Sequence, residues 1–260
     1  MNKPALQSPV LFVSDAHLGG FSEEENERIE SDFIQLINYC QRNQIQLAIL
    51  GDLFDYWMEY PGVVPDLARH LLDRFESYNN ELGPTLYITG NHDNWTLDHL
   101  TNRGFYVEHE QHTFTLNGDT IMTLHGDGLA DNRYDLKRPF MHQILRNKHF
   151  IALFRSLFSP KTGIKLMKYF SRLTRQFDEG PRKADKLNQW AAEQLNDTEI
   201  DIILCGHDHI PRQKQFTFGT YINLGTFCHH RTMVYYNNDG ISLVNWEPEM
   251  QSLTQFETTT

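Results

Sequence analysis

The chain has 260 residues, of which 40% are hydrophobic and 22% are charged, and its formal net charge is −11. This composition predicts a folded domain over residues 1–260, and the absence of a long apolar run or a basic-then-apolar amino terminus predicts neither a membrane span nor a secretory signal. Three widely spaced cysteines predict no disulfide framework or zinc site, and a cytoplasmic location is expected.

Five apolar runs, each followed by a short polar motif, dominate the pattern along the chain. The runs have strand length and are Pro9–Ser14, Leu47–Leu50, Leu86–Thr89, Ile121–Leu124 and Ile200–Cys205. The motifs that follow them are Asp15-Ala16-His17, Gly51-Asp52, Gly90-Asn91-His92-Asp93, His125-Gly126-Asp127 and Gly206-His207-Asp208-His209. Because ligands bind beyond the carboxyl ends of strands in α/β sheets, we expect these motifs to converge.

Together the motifs supply carboxylate, amide and imidazole donors. The candidate metal ligands are Asp15, His17, Asp52, Asn91, His125, His207 and His209. Mixed oxygen and nitrogen donors suit Mn, Fe, Co or Zn ions better than Mg or Ca. Two such ions, about 3.5–4 Å apart, clamp the attacking and leaving oxygens of a phosphate ester. One motif alone is usually a surface turn, but five in this order predict a two-metal phosphoesterase site.

This order of motifs resembles the calcineurin-like metallophosphoesterase superfamily. The resemblance implies an α/β fold, a four-layer αββα sandwich, with two divalent ions, commonly Mn²⁺. One ion would be held by Asp15, His17, Asp52 and His209. The other would be held by Asp52, Asn91, His125 and His207, with Asp52 bridging the pair. The nucleophile would be a hydroxide bound to both metals.

The same resemblance implies roles for residues beside the ligands. His92 would contact the phosphoryl group and protonate the leaving oxygen, and so would share the catalytic work with Asp52. Asp55, Asp93 and Asp127 would lie in a second shell that orients the imidazoles. The other histidines match no motif and receive no predicted role: His70, His99, His109, His112, His142, His149, His229 and His230.

The gap between the last two motifs is too long for a bare loop. Within it, Phe140–Phe158 alternates apolar and basic residues at helical spacing, a break follows at 159–163, and Ile164–Leu173 resumes the amphipathic pattern. We predict that residues 129–180 form a helical cap over the metal-binding loops. A further helix over Arg182–Leu195 would lead back to the last strand.

The cap region is basic in an otherwise acidic chain. From Arg133 to Lys186 there are 14 basic and 4 acidic residues, so the balance is +10 there and −21 elsewhere. Such a block predicts an anionic partner, although no nucleic-acid module is recognisable and none is expected to bind. The predicted substrate-binding residues are Lys165, Lys168, Arg172 and Arg175. They would meet phosphates or an anionic inner-membrane surface.

The apolar face of the cap has two interpretations. It could line a chamber for acyl chains, with Phe150, Phe154, Phe158, Leu166, Met167 and Phe170 as walls. Alternatively, the cap is an ordinary helical hairpin whose apolar stripe packs on the sheet. The pattern of residues alone leaves both open.

The segments Gly51–Trp57 and His125–Leu129, together with the helical insertion, resemble the UDP-2,3-diacylglucosamine diphosphatases of lipid A synthesis. That resemblance implies cleavage of an acylated sugar nucleotide to UMP and 2,3-diacylglucosamine 1-phosphate at the inner membrane. The best-known branch usually has Arg where this chain has His92, and His can donate a proton as well as bind phosphate. The alternatives are a phosphoesterase of other specificity and a non-catalytic scaffold, which is disfavoured because no ligand is missing.

Overall fold

Two β-sheets form the centre of the molecule. The computed structural model describes residues 6–174 and 180–256, apart from the side chains of residues 172–174, 180–181 and 183. The strands of the first sheet are β1 (Val10–Val13), β2 (Gln46–Leu50), β3 (Thr85–Ile88), β4 (Phe105–Glu108), β10 (Thr232–Asn237), β11 (Gly240–Glu247) and β12 (Ser252–Gln255). Those of the second are β5 (Gln111–Leu116), β6 (Asp119–Leu124), β7 (Ile202–Cys205), β8 (Arg212–Phe216) and β9 (Gly219–Asn223).

The order in the first sheet is β12-β11-β10-β1-β2-β3-β4, and in the second it is β5-β6-β7-β9-β8. Strands β1, β2, β3 and β4 are parallel to one another, as are β6, β7 and β9. All five predicted strands are present, although the last begins at Ile202 rather than Ile200. The α/β fold predicted from the sequence is therefore confirmed.

Helices cover the outer face of each sheet. The helices of the structure are α1 (Glu23–Arg42), α2 (Arg69–Leu82), α3 (His99–Asn102), α4 (Phe140–Arg146), α5 (Lys148–Leu157), α6 (Pro160–Thr174), α7 (Gly180–Asp197) and α8 (Phe227–His230). A short 3₁₀ turn lies at Asn132–Tyr134. No helix within the described part of the chain is long and apolar enough to cross a bilayer.

The alternation of β1 shows how the layers are built. Leu11 and Val13 pack into a core with α1 and α2, whereas Val10 and Phe12 point into a second core shared with the other sheet. A third core joins the second sheet to α7 through Trp190 and its neighbours. A strand buried on both faces needs apolar residues at every position, which is why β1 reads as a continuous run.

The predicted helical insertion differs from the sequence expectation in two places. The segment Phe140–Phe158 is broken at Asn147, whose side chain accepts hydrogen bonds from the amides of His149 and Phe150 at 2.9 and 3.2 Å. Such an amino-terminal cap starts a new helix, α5. The helix after the second break begins at Pro160 and so includes Gly163, which had been assigned to the break. A Cβ on Gly163 would lie 2.0 Å from the hydroxyl of Tyr60, so a larger residue here would require the Tyr60 side chain to move.

Candidate metal centre

The carboxyl ends of β1, β2, β6 and β7 meet at one edge of the two sheets. The Asp15 amide donates to the Gly51 carbonyl at 3.1 Å, which joins the first two motifs. The Gly206 amide donates to the His125 carbonyl at 3.0 Å, which joins two others. The motifs therefore converge as the positions of the strands predicted.

Asp15, His17 and His209 form one half of the cluster. The Nε2 atoms of His17 and His209 lie 3.2 Å apart. Asp15 Oδ1 is 3.2 Å from His209 Nε2 and 3.6 Å from His17 Nε2. Asp52 Oδ2 lies 4.0 Å from His17 Nε2 and completes the set expected for the first ion.

Asp52, Asn91 and His125 form the other half. His125 Nε2 is 3.3 Å from Asp52 Oδ2 and 3.1 Å from Asn91 Oδ1. The ring of His207 is centred 5.0 Å from that of His125, and the His207 amide donates to Asp15 Oδ2 at 3.1 Å. Asp52 is thus the carboxylate that faces both halves, which is the position of a bridging ligand.

The backbone at these residues adopts a conformation that residues other than glycine rarely adopt. Asp15, His17, Asp52, His207 and His209 all have positive φ, between 47° and 73°. A non-glycine residue in this region costs of order 1–3 kcal/mol and persists where the surrounding structure enforces it. Its concentration at five predicted ligands indicates that the fold places these side chains for function.

Two glycines leave room for the ligands. A Cβ on Gly90 would lie 2.0 Å from Asp52 Oδ1, and one on Gly206 would lie 2.2 Å from Asp15 Oδ2. His125 is oriented from behind, because its Nδ1 lies 2.9 Å from the Leu50 carbonyl and can donate to it. That bond leaves His125 Nε2 free to face the centre, as in many metal sites.

The donors at this centre fit divalent cations. Asp15 Oδ1 is buried and has no hydrogen-bond donor in the part of the chain that the structure describes. Donor atoms of Asp15, His17 and His209 lie within 4.8 Å of one another, as do those of Asp15, Asp52 and His125. Two imidazole nitrogens 3.2 Å apart, both close to one buried carboxylate oxygen, form an arrangement that a shared cation would satisfy.

Charge at the centre follows from burial and from the carboxylates. Burial lowers the pKa of His125, but the charge of Asp52 outweighs it and the pKa is raised to about 10. Burial opposes ionisation of Asp52, yet the neighbouring His125 and His92 lower its pKa well below the usual value. The carboxylates therefore attract positive charge, and bound cations would replace the imidazole protons.

His92 lies beside the centre and is held by its own contacts. Its ring is centred 5.1 Å from that of His17, and its amide donates to Asp52 Oδ1 at 2.9 Å. His92 Nδ1 is 2.8 Å from the Asp55 carbonyl oxygen. Donation from Nδ1 to that carbonyl leaves Nε2 as the nitrogen available to a substrate.

The three acidic residues expected to orient imidazoles take different positions. Asp55 lies near an imidazole, because its Oδ1 is 3.6 Å from His17 Nδ1. Asp93 instead accepts from the amides of Leu53 and Gly90 at 2.9 and 2.7 Å, so it holds two motif loops together. Its hydrogen-bond partners among the described residues include no imidazole, so an imidazole-orienting role for Asp93 stays a prediction.

Asp127 has its main hydrogen-bond partner in the cap. Arg146 of α4 donates to both carboxylate oxygens at 3.1 Å, and Arg138 Nε is 3.6 Å away. Burial opposes ionisation of Asp127, but Arg146 outweighs it and lowers the pKa to about 2. His142 Nδ1 also lies 3.7 Å from Asp127 Oδ2, and this residue had no predicted role.

Sequence analysis also missed Ser171 of α6. Its Oγ is a hydrogen-bond donor to Asp55 Oδ2 and lies 3.2 Å from His92 Nδ1. Ser171 is separated from Asp55 by 116 residues, so no local pattern could reveal the contact. The cap thus contacts both His92 and Asp55, whose carbonyl oxygen accepts from His92 Nδ1.

A cavity of about 200 Å³ lies between the cap and the metal-binding loops. Its floor includes Asn91 and His92, and its walls are mostly apolar side chains of the cap. The cap residues that line it are Met141, His142, Ile144, Leu145, Phe150, Phe154, Met167, Phe170 and Ser171. Four of the six residues expected to line an acyl chamber are among the walls. Phe158 and Leu166 are not, although they pack in the same apolar cluster as Phe150, Phe154 and Met167.

The predicted basic residues are more scattered. Lys165 is exposed, whereas Lys168 is half-buried with Nζ 5.3 Å from the centre of the Tyr56 ring. Arg172 belongs to α6, but its side chain is outside the described part, and Arg175 lies outside the described residues altogether.

Comparison with known proteins identifies this arrangement. Residues 8–211 match the family model described as calcineurin-like phosphoesterase. The chain belongs to this family. Family members are metal-dependent phosphoesterases, and the cluster described above contains groups of side chains that could hold divalent metal ions.

Curated relatives share a narrower name. The chain is 25% identical to the UDP-2,3-diacylglucosamine hydrolase of Porphyromonas gingivalis over 79% of this chain and 84% of that protein. It is 26% identical to the enzyme of the same name from Blochmanniella pennsylvanica, over 95% and 99%. Among solved structures, the phosphoesterase Yfce from E. coli aligns over 95% of this chain and 98% of that one, with 15% identity and a TM-score of 0.47.

Proposed function

We propose that this metallophosphoesterase hydrolyses UDP-2,3-diacylglucosamine to UMP and 2,3-diacylglucosamine 1-phosphate. The observation that carries the proposal is the cavity that has His92 and Asn91 at one end and apolar cap side chains along its walls. A substrate with a pyrophosphate beside acyl chains matches that division between polar and apolar surfaces. The names of the two relatives above agree with it.

The seven predicted ligands would hold two divalent ions, and Mn²⁺ is the ion we propose, with Fe, Zn or Co as alternatives. When bound, the ions would neutralise phosphate charge and lower the pKa of the attacking water. Asp52 would contribute to both coordination spheres because its carboxylate faces Asn91 and His125 on one side and His17 on the other. Gly90 and Gly206 keep this space open.

His92 would protonate the leaving group. Water adds to the phosphorus that carries uridine, and the bond from that phosphorus to the bridging oxygen breaks. The leaving oxygen then belongs to the sugar 1-phosphate. His92 in its imidazolium form would give that oxygen the Nε2 proton, keep Nδ1–H on the Asp55 carbonyl, and take up the proton that the attacking water releases. Asp55 and Ser171 would keep the imidazole in this orientation through Nδ1.

The cap would bind the acyl chains and bring the enzyme to an anionic membrane. Leu153 and Leu157 are 56% and 68% exposed on one helix, and exposed Lys161 and Lys165 follow on the next. Apolar and basic side chains together bind anionic bilayers, at about 1 kcal/mol per basic residue near the surface. We propose a cytoplasmic enzyme that binds the inner membrane peripherally through this face.

The substrate is tested by measuring UMP release from UDP-2,3-diacylglucosamine with Mn²⁺, beside bis(p-nitrophenyl) phosphate and unacylated UDP-N-acetylglucosamine. The proposal predicts a clear preference for the acylated compound. A preference for the diester or for a simple phosphomonoester would instead support a phosphoesterase of other specificity. No turnover of any of them with two ions bound would support a non-catalytic scaffold.

Two neighbouring variants test the cavity. Met141→Glu places a carboxylate on a wall residue that is 59% exposed, so the core stays intact while acyl binding is disfavoured. It should lower kcat/KM for the acylated substrate about tenfold or more, and the loss on the small diester should be much smaller. Phe140→Glu is the control, because Phe140 is 73% exposed and does not line the cavity. Equal losses on both substrates would refute an acyl chamber.

Membrane binding is tested by co-sedimentation with vesicles of phosphatidylglycerol or phosphatidylcholine. The double variant Leu153→Asn, Leu157→Asn should bind phosphatidylglycerol vesicles more weakly than the native protein. Phe218→Asn, which removes a 61% exposed ring between β8 and β9, should change nothing. Equal binding by all three proteins would refute the proposed face.

A further inference from the structure

His142 lies on α4 and belongs to none of the sequence motifs. It lines the same cavity as Asn91 and His92. Its ring is centred 6.3 Å from that of His207, in the half of the cluster opposite His17. His92, by contrast, contacts His17. The cavity therefore presents two imidazoles outside the predicted ligand set, each beside a different half of the metal centre.

The contacts of His142 leave its buried nitrogen unsatisfied. Nδ1 is buried and has no hydrogen-bond partner within the described residues. The nearby oxygen of Asp127 is 3.7 Å away, beyond hydrogen-bond distance, and both oxygens of that carboxylate already accept from Arg146. A buried polar group without a partner is destabilising, so a ligand that supplies the partner would bind more tightly.

We propose that His142 is a substrate-contacting residue whose imidazole donates a hydrogen bond to a phosphoryl oxygen bound beside Asn91 and His207. The inference deepens the proposed function, because it assigns phosphate recognition at that site to a residue of the cap. A neutral imidazole carries one N–H, which suffices for this bond. Hydrogen bonds to anionic oxygens are stronger than neutral ones, so a single contact has a measurable effect.

The position on α4 gives the contact a second consequence. Arg146, one helical turn further along, fixes the same helix to Asp127 and to the Thr89 carbonyl, at 3.0 Å for the latter. A phosphate held by His142 would therefore be aligned with both the metal-binding loops and the cap. Helix α4 would therefore fix the position of the reacting phosphorus relative to the acyl chamber.

The test compares His142→Ala, His142→Gln and His149→Ala. His149 is exposed on the neighbouring helix α5, so His149→Ala removes an imidazole from the cap outside the cavity. Each protein is loaded with Mn²⁺ and its metal content is measured. The kinetic readouts are KM and kcat for UDP-2,3-diacylglucosamine and for bis(p-nitrophenyl) phosphate, and Ki for inorganic phosphate.

For His142→Ala we expect unchanged Mn²⁺ content and an increase of roughly tenfold or more in KM and in phosphate Ki. His142→Gln should recover part of the loss, because its amide can donate, and His149→Ala should behave as the native protein. Unchanged KM and Ki in a folded His142→Ala protein would overturn the proposal. Loss of bound Mn²⁺ would also overturn it, because His142 would then support the metal site.

The phosphate measurement separates this proposal from the proposed function. If the native enzyme ignores UDP-2,3-diacylglucosamine but hydrolyses the diester, the substrate proposal fails. The change in phosphate Ki would still decide the role of His142. If His142→Ala does not fold, the comparison rests on His142→Gln, which must show an intermediate increase in Ki and not an unchanged one.

Discussion

Replacing Arg146 should release the cap from the metal-binding loops. The Arg146 side chain is only 7% exposed. It donates to both oxygens of Asp127 at 3.1 Å, to the Thr89 hydroxyl and carbonyl at 3.2 and 3.0 Å, and to the His109 carbonyl at 2.8 Å. Arg146→Met keeps most of the apolar stem while removing every one of these donors, so it tests the charge and not the packing.

The expected cost follows from the burial of Asp127, whose side chain is 3% exposed. Removing one partner of a buried ion pair costs up to about 3–5 kcal/mol when the other charge is left uncompensated, and here Arg138 Nε, 3.6 Å from Asp127, keeps the cost towards the lower end. Asp127→Asn removes that charge. The double variant should therefore be more stable than the sum of the single losses predicts, by roughly 1–3 kcal/mol.

The pKa of Asp127 adds a pH dependence with a defined sign. Burial raises the pKa of Asp127, but the charge of Arg146 outweighs burial and lowers this pKa from an ordinary 3.8 to about 2. The stabilisation is therefore present above about pH 4 and is lost as the pH falls through 2. Arg146→Met should raise this pKa, so that acid destabilisation begins at a higher pH than in the native protein.

The assay is urea unfolding of the four proteins of the cycle, with kcat/KM measured in parallel. Arg133→Met is the control, because Arg133 pairs with Asp131 at 2.6 Å but is 84% exposed, and its loss should leave the free energy of unfolding almost unchanged. A loss below about 1 kcal/mol for Arg146→Met, or strict additivity in the cycle, would refute the anchoring role.

Four further changes probe the centre and the residues beside it. Asp52→Ala should remove both ions and abolish turnover, as measured by metal content and UMP release, and a variant that retains two ions would contradict a shared carboxylate. His92→Ala should retain metal but lose rate by roughly 10²–10⁴-fold on substrates with poor leaving groups; a native kcat on such substrates would exclude the proton-donor role. Gly206→Ala should weaken metal binding, since its Cβ would lie 2.2 Å from Asp15 Oδ2, and native Mn²⁺ affinity would contradict this. Ser171→Ala should leave metal content unchanged and lower kcat more than it raises KM, whereas an unchanged kcat would show that Ser171 does not position His92.

The strands and the convergence of the motifs could be predicted from the sequence because both are local signals. An apolar run of strand length followed by Gly-Asp or Gly-Asn-His specifies both an element and its end. Parallel neighbours such as β1 and β2 then bring those ends together without further information. The positions of Asp15 and Asp52 follow from these two facts, whereas that of His125 also depends on how the second sheet packs on the first.

The contacts of the cap could not be predicted because their partners are remote in sequence. Arg146 lies 19 residues from Asp127, and Ser171 lies 116 residues from Asp55. An acidic residue two positions after His125 suggested an imidazole partner, but the carboxylate points towards the inserted helix. Asn147 carried a local signal for a helix start, and the amphipathic spacing on either side of it hid the break.

The central claim is that seven side chains hold two divalent ions joined by Asp52. Electron paramagnetic resonance of the metal-free protein titrated with Mn²⁺ tests it most directly, because ions that share a carboxylate are magnetically coupled. The account predicts saturation at two Mn²⁺ per chain with the spectrum of a coupled pair. Saturation at one ion, or two ions with the six-line spectrum of isolated Mn²⁺, would contradict it.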